Sequence, residues 1–179
     1  NVAGRLDNSN TGLISAGKTL EFNNANTEIL NRGGQINANT LKLIGQRLDN
    51  SAGPLISQDA LEGTLSGALI NANKARLASG AALLLNAASL DNRGGQLVSQ
   101  DRLDLTLANG DLDNRDKGTL ASQKDLVIKL LAGDVNNQQD GLIFSQKGKL
   151  DLAARTLNNQ QGTLQSQADN LLRLSGALN

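Results

Sequence analysis

The chain has 179 residues, with 17 Lys plus Arg against 17 Asp plus Glu, so a formal net charge of zero leaves no whole-molecule attraction to nucleic acid, anionic membrane or acidic substrate. Cysteine and histidine are both absent, which excludes thiolate nucleophiles, disulfides, imidazole bases and Cys/His zinc sites. Phe22 and Phe144 are the only aromatics, too few to build the stacking platforms of single-stranded nucleic-acid binders, and 34 Leu fill the interior instead with one medium-sized side chain.

The longest apolar stretch, Ala81 to Leu85, falls far short of the roughly 18 residues of a spanning helix, so membrane insertion is not expected. The chain opens on Asn1 with no basic or apolar leader, and it reads as a single segment, 1–179, excised from a longer polypeptide. A cysteine-free chain also suits export through an oxidising compartment.

Self-similarity organises the whole sequence. Leu-Asp-Asn recurs at Leu6, Leu48, Leu90 and Leu112, and Ile29-Leu30-Asn31, Leu69-Ile70-Asn71, Val135-Asn136-Asn137 and Leu157-Asn158-Asn159 fill the gaps; a ninth start falls at Leu178. The eight intervals average 21.5 residues and range from 19 to 23. Two residues after each start stands an asparagine: Asn8, Asn31, Asn50, Asn71, Asn92, Asn114, Asn137 and Asn159. Next comes an aliphatic followed two residues later by Ser, read as Leu13/Ser15, Leu55/Ser57, Leu77/Ser79, Leu97/Ser99, Leu120/Ser122, Ile143/Ser145 and Leu164/Ser166, with Ile36/Ala38 departing in unit two. Last comes a Leu-x-Leu alternation: Leu20/Phe22, Leu41/Leu43, Leu83/Leu85, Leu103/Leu105, Leu126/Ile128, Leu150/Leu152 and Leu172/Leu174, reduced in unit three to Leu61 and Leu65.

Apolar spacing of two is the strand period, and Gly, Asn, Asp and Gln between the columns are turn formers. Units of about 21 residues are too short for a helix-turn-helix repeat, which needs about 34. Leucine-rich repeats share the Leu-x-Leu and the Asn, but there the Asn follows by three residues, whereas Leu152 precedes Asn159 by seven and no helical segment follows. The expected fold is all-β: a parallel β-helix, or β-solenoid, of about eight coils that together close one Leu/Ile core. At a strand spacing of ~4.8 Å such a rod is roughly 40 Å long. Asparagines stacked at that spacing can bond up and down the rod as a ladder, which gives the column an architectural reason, and the Ser column serves a similar end at a second corner. Pro54, the only proline, precedes Leu55 at a strand start, where a missing N–H is tolerated.

Leu90-Asp91-Asn92-Arg93-Gly94-Gly95-Gln96-Leu97, followed by a Ser and a Leu-x-Leu strand, resembles the repeats of filamentous haemagglutinin and of related exoproteins of bacterial two-partner secretion, including contact-dependent growth inhibition proteins. The resemblance runs from Leu6 to Asn179. It implies a right-handed parallel β-helix, exported through an outer-membrane transporter and forming the shaft of a long fibre on the bacterial surface, with adhesion or toxin delivery carried elsewhere. The partners it implies are the rest of the parent fibre, that transporter, and a target-cell receptor or glycan. Leu69-Ile70-Asn71 and the Asn-Asn-Gln-Gln units depart from the pattern and hint at local specialisation.

Two surface features compete with the shaft reading. Asp91 and Asp113 stack on adjacent coils about 5 Å apart, a pair suited to glycosidic chemistry, although Arg93 and Arg115 stand two residues further along to neutralise them. Gln138, Gln139, Gln160 and Gln161 form an amide patch two coils high that offers donors and acceptors to glycan hydroxyls. No metal is expected, since Gly33-Gly34 and Gly94-Gly95 are each followed by Gln rather than by the rest of a calcium nonapeptide, and no phosphate-cradling Gly-x-x-x-x-Gly-Lys pattern occurs. No cofactor, catalytic residue or nucleic-acid partner is assigned.

Overall fold

A computed structural model describes residues 3–179. Those residues contain 22 strands and no helix, and every pairing between strands is parallel. The Leu-Asp starts form one eight-stranded sheet, from Arg5–Asp7 to Leu157–Asn158, each strand bonded to the equivalent strand one coil away. This is the first face of a three-sided β-solenoid of about eight turns. The second face holds the strands after the asparagine corner, such as Gln96–Ser99 and Thr119–Ser122; the third holds the Leu-x-Leu strands, such as Leu83–Ala87 and Leu103–Leu107.

The second and third faces belong to a single 14-stranded sheet because Leu13–Asn23 and Gln35–Gly45 run unbroken through the corner between them. The reason is local. From the third to the seventh coil a buried Ser stands at that corner, and in the third to sixth its hydroxyl reaches a backbone carbonyl just beyond it, as from Ser79 to Ala82, Ser99 to Arg102 and Ser122 to Lys124. A hydroxyl that competes for backbone partners bends the chain. In the first two coils Ala16 and Ala38 occupy the position, and the strand continues. The serines therefore bond carbonyls of their own or the neighbouring turn, as Ser57 does at 2.7 Å from both Asn39 O and Ala60 O, and do not form a hydroxyl ladder.

The interior is a set of aliphatic columns. Leu48, Leu69, Leu90, Leu112 and Val135 stack on the first face; Leu55, Leu77, Leu97, Leu120 and Ile143 stack on the second; all are essentially without solvent exposure. Two of the three columns read from the sequence depart from it, at three coils. In the first coil Ile14 and Ala16, not Leu13 and Ser15, align with Ile36 and Ala38, and Leu13 lies 64% exposed. In the third coil Gly63 takes the second Leu position while Leu65 fills a third inward position, opposite Gly45. In the last coil Asn170 aligns with Leu150, so Leu172 and Leu174 occupy the second and third inward positions. Small residues meet large ones across coils: a Cβ on Gly63 would come within 2.7 Å of Leu85. Cores at native density tolerate the pattern because summed volume is kept.

The turn after each asparagine absorbs one residue of the variation in period. Some coils place one residue there in the left-handed region, such as Gly94 (φ 62°) or Ala52 (φ 56°); others place two, such as Asn73 and Lys74 or Asp116 and Lys117. The extra residue is absorbed outside the core, and the glycine that closes the turn restores register. A Cβ at Gly95 would lie 1.7 Å from Asn71 O of the coil before. In the two-residue turns the clearance is larger, 2.5 Å at Gly118 and Gly141, and it is in a turn of this longer kind that Ala75 replaces glycine. Gly95→Ala is expected to lower stability by about 2 to 4 kcal/mol through forced backbone displacement, as read by urea or thermal melting. Gly17→Ala, with nothing within 4 Å of its Cβ, is expected to leave the melt within about 0.5 kcal/mol.

Candidate functional site

The eight asparagines form one column along the corner between the first and second faces. Asn31, Asn50, Asn71, Asn92, Asn114 and Asn137 have no solvent exposure, and Asn8 has 7%. Each side-chain Nδ2 donates to Oδ1 of the next: Asn8 to Asn31 at 2.7 Å, Asn31 to Asn50 at 2.7 Å, Asn50 to Asn71 at 2.9 Å, Asn71 to Asn92 at 2.8 Å, Asn92 to Asn114 at 2.7 Å, Asn114 to Asn137 at 2.7 Å, and Asn137 to Asn159 at 2.8 Å. The remaining hydrogen faces backbone carbonyls of the same corner, for Asn92 those of Gly95 and Thr119. Within the ladder each interior amide is engaged at both Oδ1 and Nδ2. Its chemistry is turned inward, and it offers no group to a ligand.

Outside this ladder the four Leu-Asp carboxylates, Asp7, Asp49, Asp91 and Asp113, are each paired with arginine. Asp91 and Asp113 lie opposite each other in the first-face register. Arg93 grips Asp91 at 3.0 and 2.7 Å, Arg115 grips Asp113 at 2.9 and 2.7 Å, and Arg93 also stands 3.6 Å from Asp113. Burial raises the Asp91 pKa, but the Arg93 guanidinium and backbone N–H outweigh it, so the carboxyl is held below its usual range. A general acid for glycoside cleavage requires the opposite shift.

Asp49 is nearly buried. Burial works against its charge, yet the Ser51 hydroxyl at 2.6 Å and Arg32 at 2.7 Å, from the coil before, keep it ionised below the ordinary value. Further pairs join coils at the period of the repeat: Asp134 with Arg155 at 2.8 Å, Asp101 with Lys124 at 2.7 Å, and Asp151 with Arg173. The Leu-Asp motif does not reveal these cross-coil pairs. Opposite charges one repeat apart, such as the 21 residues from Asp134 to Arg155, are the signal that finds them.

Gln138, Gln139, Gln160 and Gln161 are brought together. With Arg115 they line an open groove of about 520 Å³ beside the asparagine corner, and Gln138 Nε2 donates to Gln160 Oε1 at 3.4 Å. Gln139 and Gln161 both adopt the left-handed turn conformation, at φ 55° and 59°. A depression of about 860 Å³ lies at the third corner and is lined by Leu131, Ala153, Leu172 and their neighbours, without a paired acid and base. Among the described residues no group of three or more carboxylates gathers to hold a cation.

A rod of stacked parallel coils, with a leucine interior and its polar ladder facing inward, defines a repeat protein of the β-solenoid class. The haemagglutinin repeat model matches residues 1–116, 102–143 and 130–179, and the chain belongs to the haemagglutinin repeat family, one of structural and adhesive proteins. No curated protein and no solved structure matches the chain.

Two outcomes test the site as described. Asn92→Leu removes the acceptor for Asn71 and the donor to Asn114 inside a dry corner, and is expected to cost about 1 to 3 kcal/mol in urea melting. Arg155, together with Thr156, holds the Asp134 carboxyl down at about 2, from 3.8. A carboxyl that titrates lower in the folded than in the unfolded chain stabilises the fold fully above its unfolded value, and that contribution is lost as pH falls from about 4 to about 2. Asp134→Asn is therefore expected to flatten the melting-temperature profile across that window and to leave its shape at neutral pH unchanged.

Proposed function

We propose that this chain is a stalk segment of a large filamentous exoprotein, secreted by or displayed on a bacterium, in which coil number sets the distance between the cell and an adhesive or toxin-delivering element. The observation that carries this reading is the inward commitment of the repeat's polar groups. Asparagines, corner serines and most first-face carboxylates bond within or between coils, leaving no convergent set of reactive side chains among the described residues. Export through an outer-membrane transporter, as in two-partner secretion, and a contact-dependent growth inhibition context belong to the same proposal. They are supported by the family and by a cysteine-free chain able to cross an oxidising compartment unfolded. The proposal treats the chain as non-enzymatic, because the stacked carboxylates Asp91 and Asp113 are neutralised by two arginines.

A second reading makes the rod itself adhesive for a glycan or receptor, and the exposed glutamine groove beside Arg115 favours it. The deciding measurement is binding of the labelled chain to intact epithelial and bacterial cells, against a coil-matched segment of another haemagglutinin repeat. The stalk reading expects equal, non-saturable signal from both. Saturable binding by this chain alone, abolished by Gln138→Ala with Gln160→Ala, transfers the function to the groove.

A further inference from the structure

Charge is distributed unevenly around the rod. Each second-face strand presents two outward side chains, sixteen over eight coils, and Arg76 is the only charged one. The third face presents sixteen in the same way and seven are charged, from Glu21 and Lys42 to Asp151 and Arg173. With 34 of 179 residues charged, one whole side has been kept nearly free of them. In their place Ile56, Val98, Ala121 and Phe144, each partly exposed, and the nearly buried Ala78 stand in register as an apolar stripe five coils tall. Gln123 borders the stripe beside a shallow depression of about 80 Å³, and its buried Oε1 has no hydrogen-bond partner.

Exposed sheet surfaces are ordinarily kept soluble by charge, so a charge-free one marks a covered surface. What covers it is limited by chemistry and by repeat. A sugar chain is held against Trp or Tyr faces, and the chain has neither. A lipid surface draws on clustered cations, and one arginine stands here. A helix advances 5.4 Å per turn and drifts out of step with strands ~4.8 Å apart. A second rod of the same kind has the same axial repeat, so every added coil makes the same contact, and zero net charge raises no repulsion.

We infer that the second face pairs laterally with the second face of another copy, the two sheets packing about 10 Å apart with their stripes opposed. Eight strands about 4.8 Å apart and four residues of about 3.3 Å each cover about 500 Å² per copy, or about 1,000 Å² for the pair. That is the lower limit of a specific interface, so a segment of this length pairs weakly, while a longer array gains by linked repetition of the same contact. Such pairing would bundle fibres side by side, a property that requires only the rod and not its role as a stalk.

The cysteine-free chain permits single-cysteine reporters. Val98→Cys lies at the centre of the stripe, and Thr106→Cys lies outward on the third face at a comparable height. At about 1 mM chain with a bis-maleimide linker of about 10 Å, Val98→Cys is expected to give roughly tenfold more covalent dimer than Thr106→Cys. The excess should persist from about 50 to about 500 mM salt, since no ion pair carries it. It should disappear when Ala121→Asp is added, with melting of that variant confirming the fold. Equal yields from the two positions, as end-to-end stacking or random collision would give, overturn the inference. So does a strictly monomeric wild-type chain in sedimentation at the same concentration.

Discussion

Every part of this molecule depends on one residue standing above its equivalent in the next coil. Parallel strands in register place like on like at strand spacing, and the arrangement survives only where like residues attract or fit. Leucine does so by burial. Asparagine does so because its amide is both donor and acceptor, so a column of identical side chains closes its own hydrogen bonds. Aspartate cannot, and Asp91 over Asp113 persists because Arg93 and Arg115 interleave with them.

Register is guarded at the corners more than on the faces. At the asparagine corner a glycine lets one coil approach the carbonyl of the coil before, and the left-handed turn takes up the extra residue when a unit is long. At the next corner a serine hydroxyl bends the strand, and where alanine replaces it the strand continues through the corner, with a register irregularity between Ala16 and Thr19. Variation in unit length is thus confined to solvent, and the core columns pass from coil to coil with little interruption. A rod built this way tolerates addition of coils, since each new coil meets the same surface as the last.

The same logic separates inside from outside. Inward positions are held by stacking and admit little change, while outward positions are free to differ between faces. The third face uses that freedom for mixed charge, and the second face uses it for an uncharged, partly apolar surface. The difference between the faces, not the repeat itself, is where an individual rod of this family acquires properties of its own.

The sequence by itself determined the class of fold. Period-two leucines, a unit too short for paired helices and an asparagine in every unit leave little other than a parallel solenoid, and the ladder partners follow from counting one repeat forward. In the first coil Leu13 before Ser15 imitates the aliphatic-x-Ser pattern, whereas the inward, partly buried residue is Ile14, two after Gly12. Only the tertiary structure decided which residues share a face across coils and so which charges meet. Asp134 and Arg155 stand one repeat apart along the chain, and stacking turns that spacing into a contact on the rod. The blank second face is likewise invisible in a chain whose charges balance, because segregation by side is a property of stacking and not of order along the sequence.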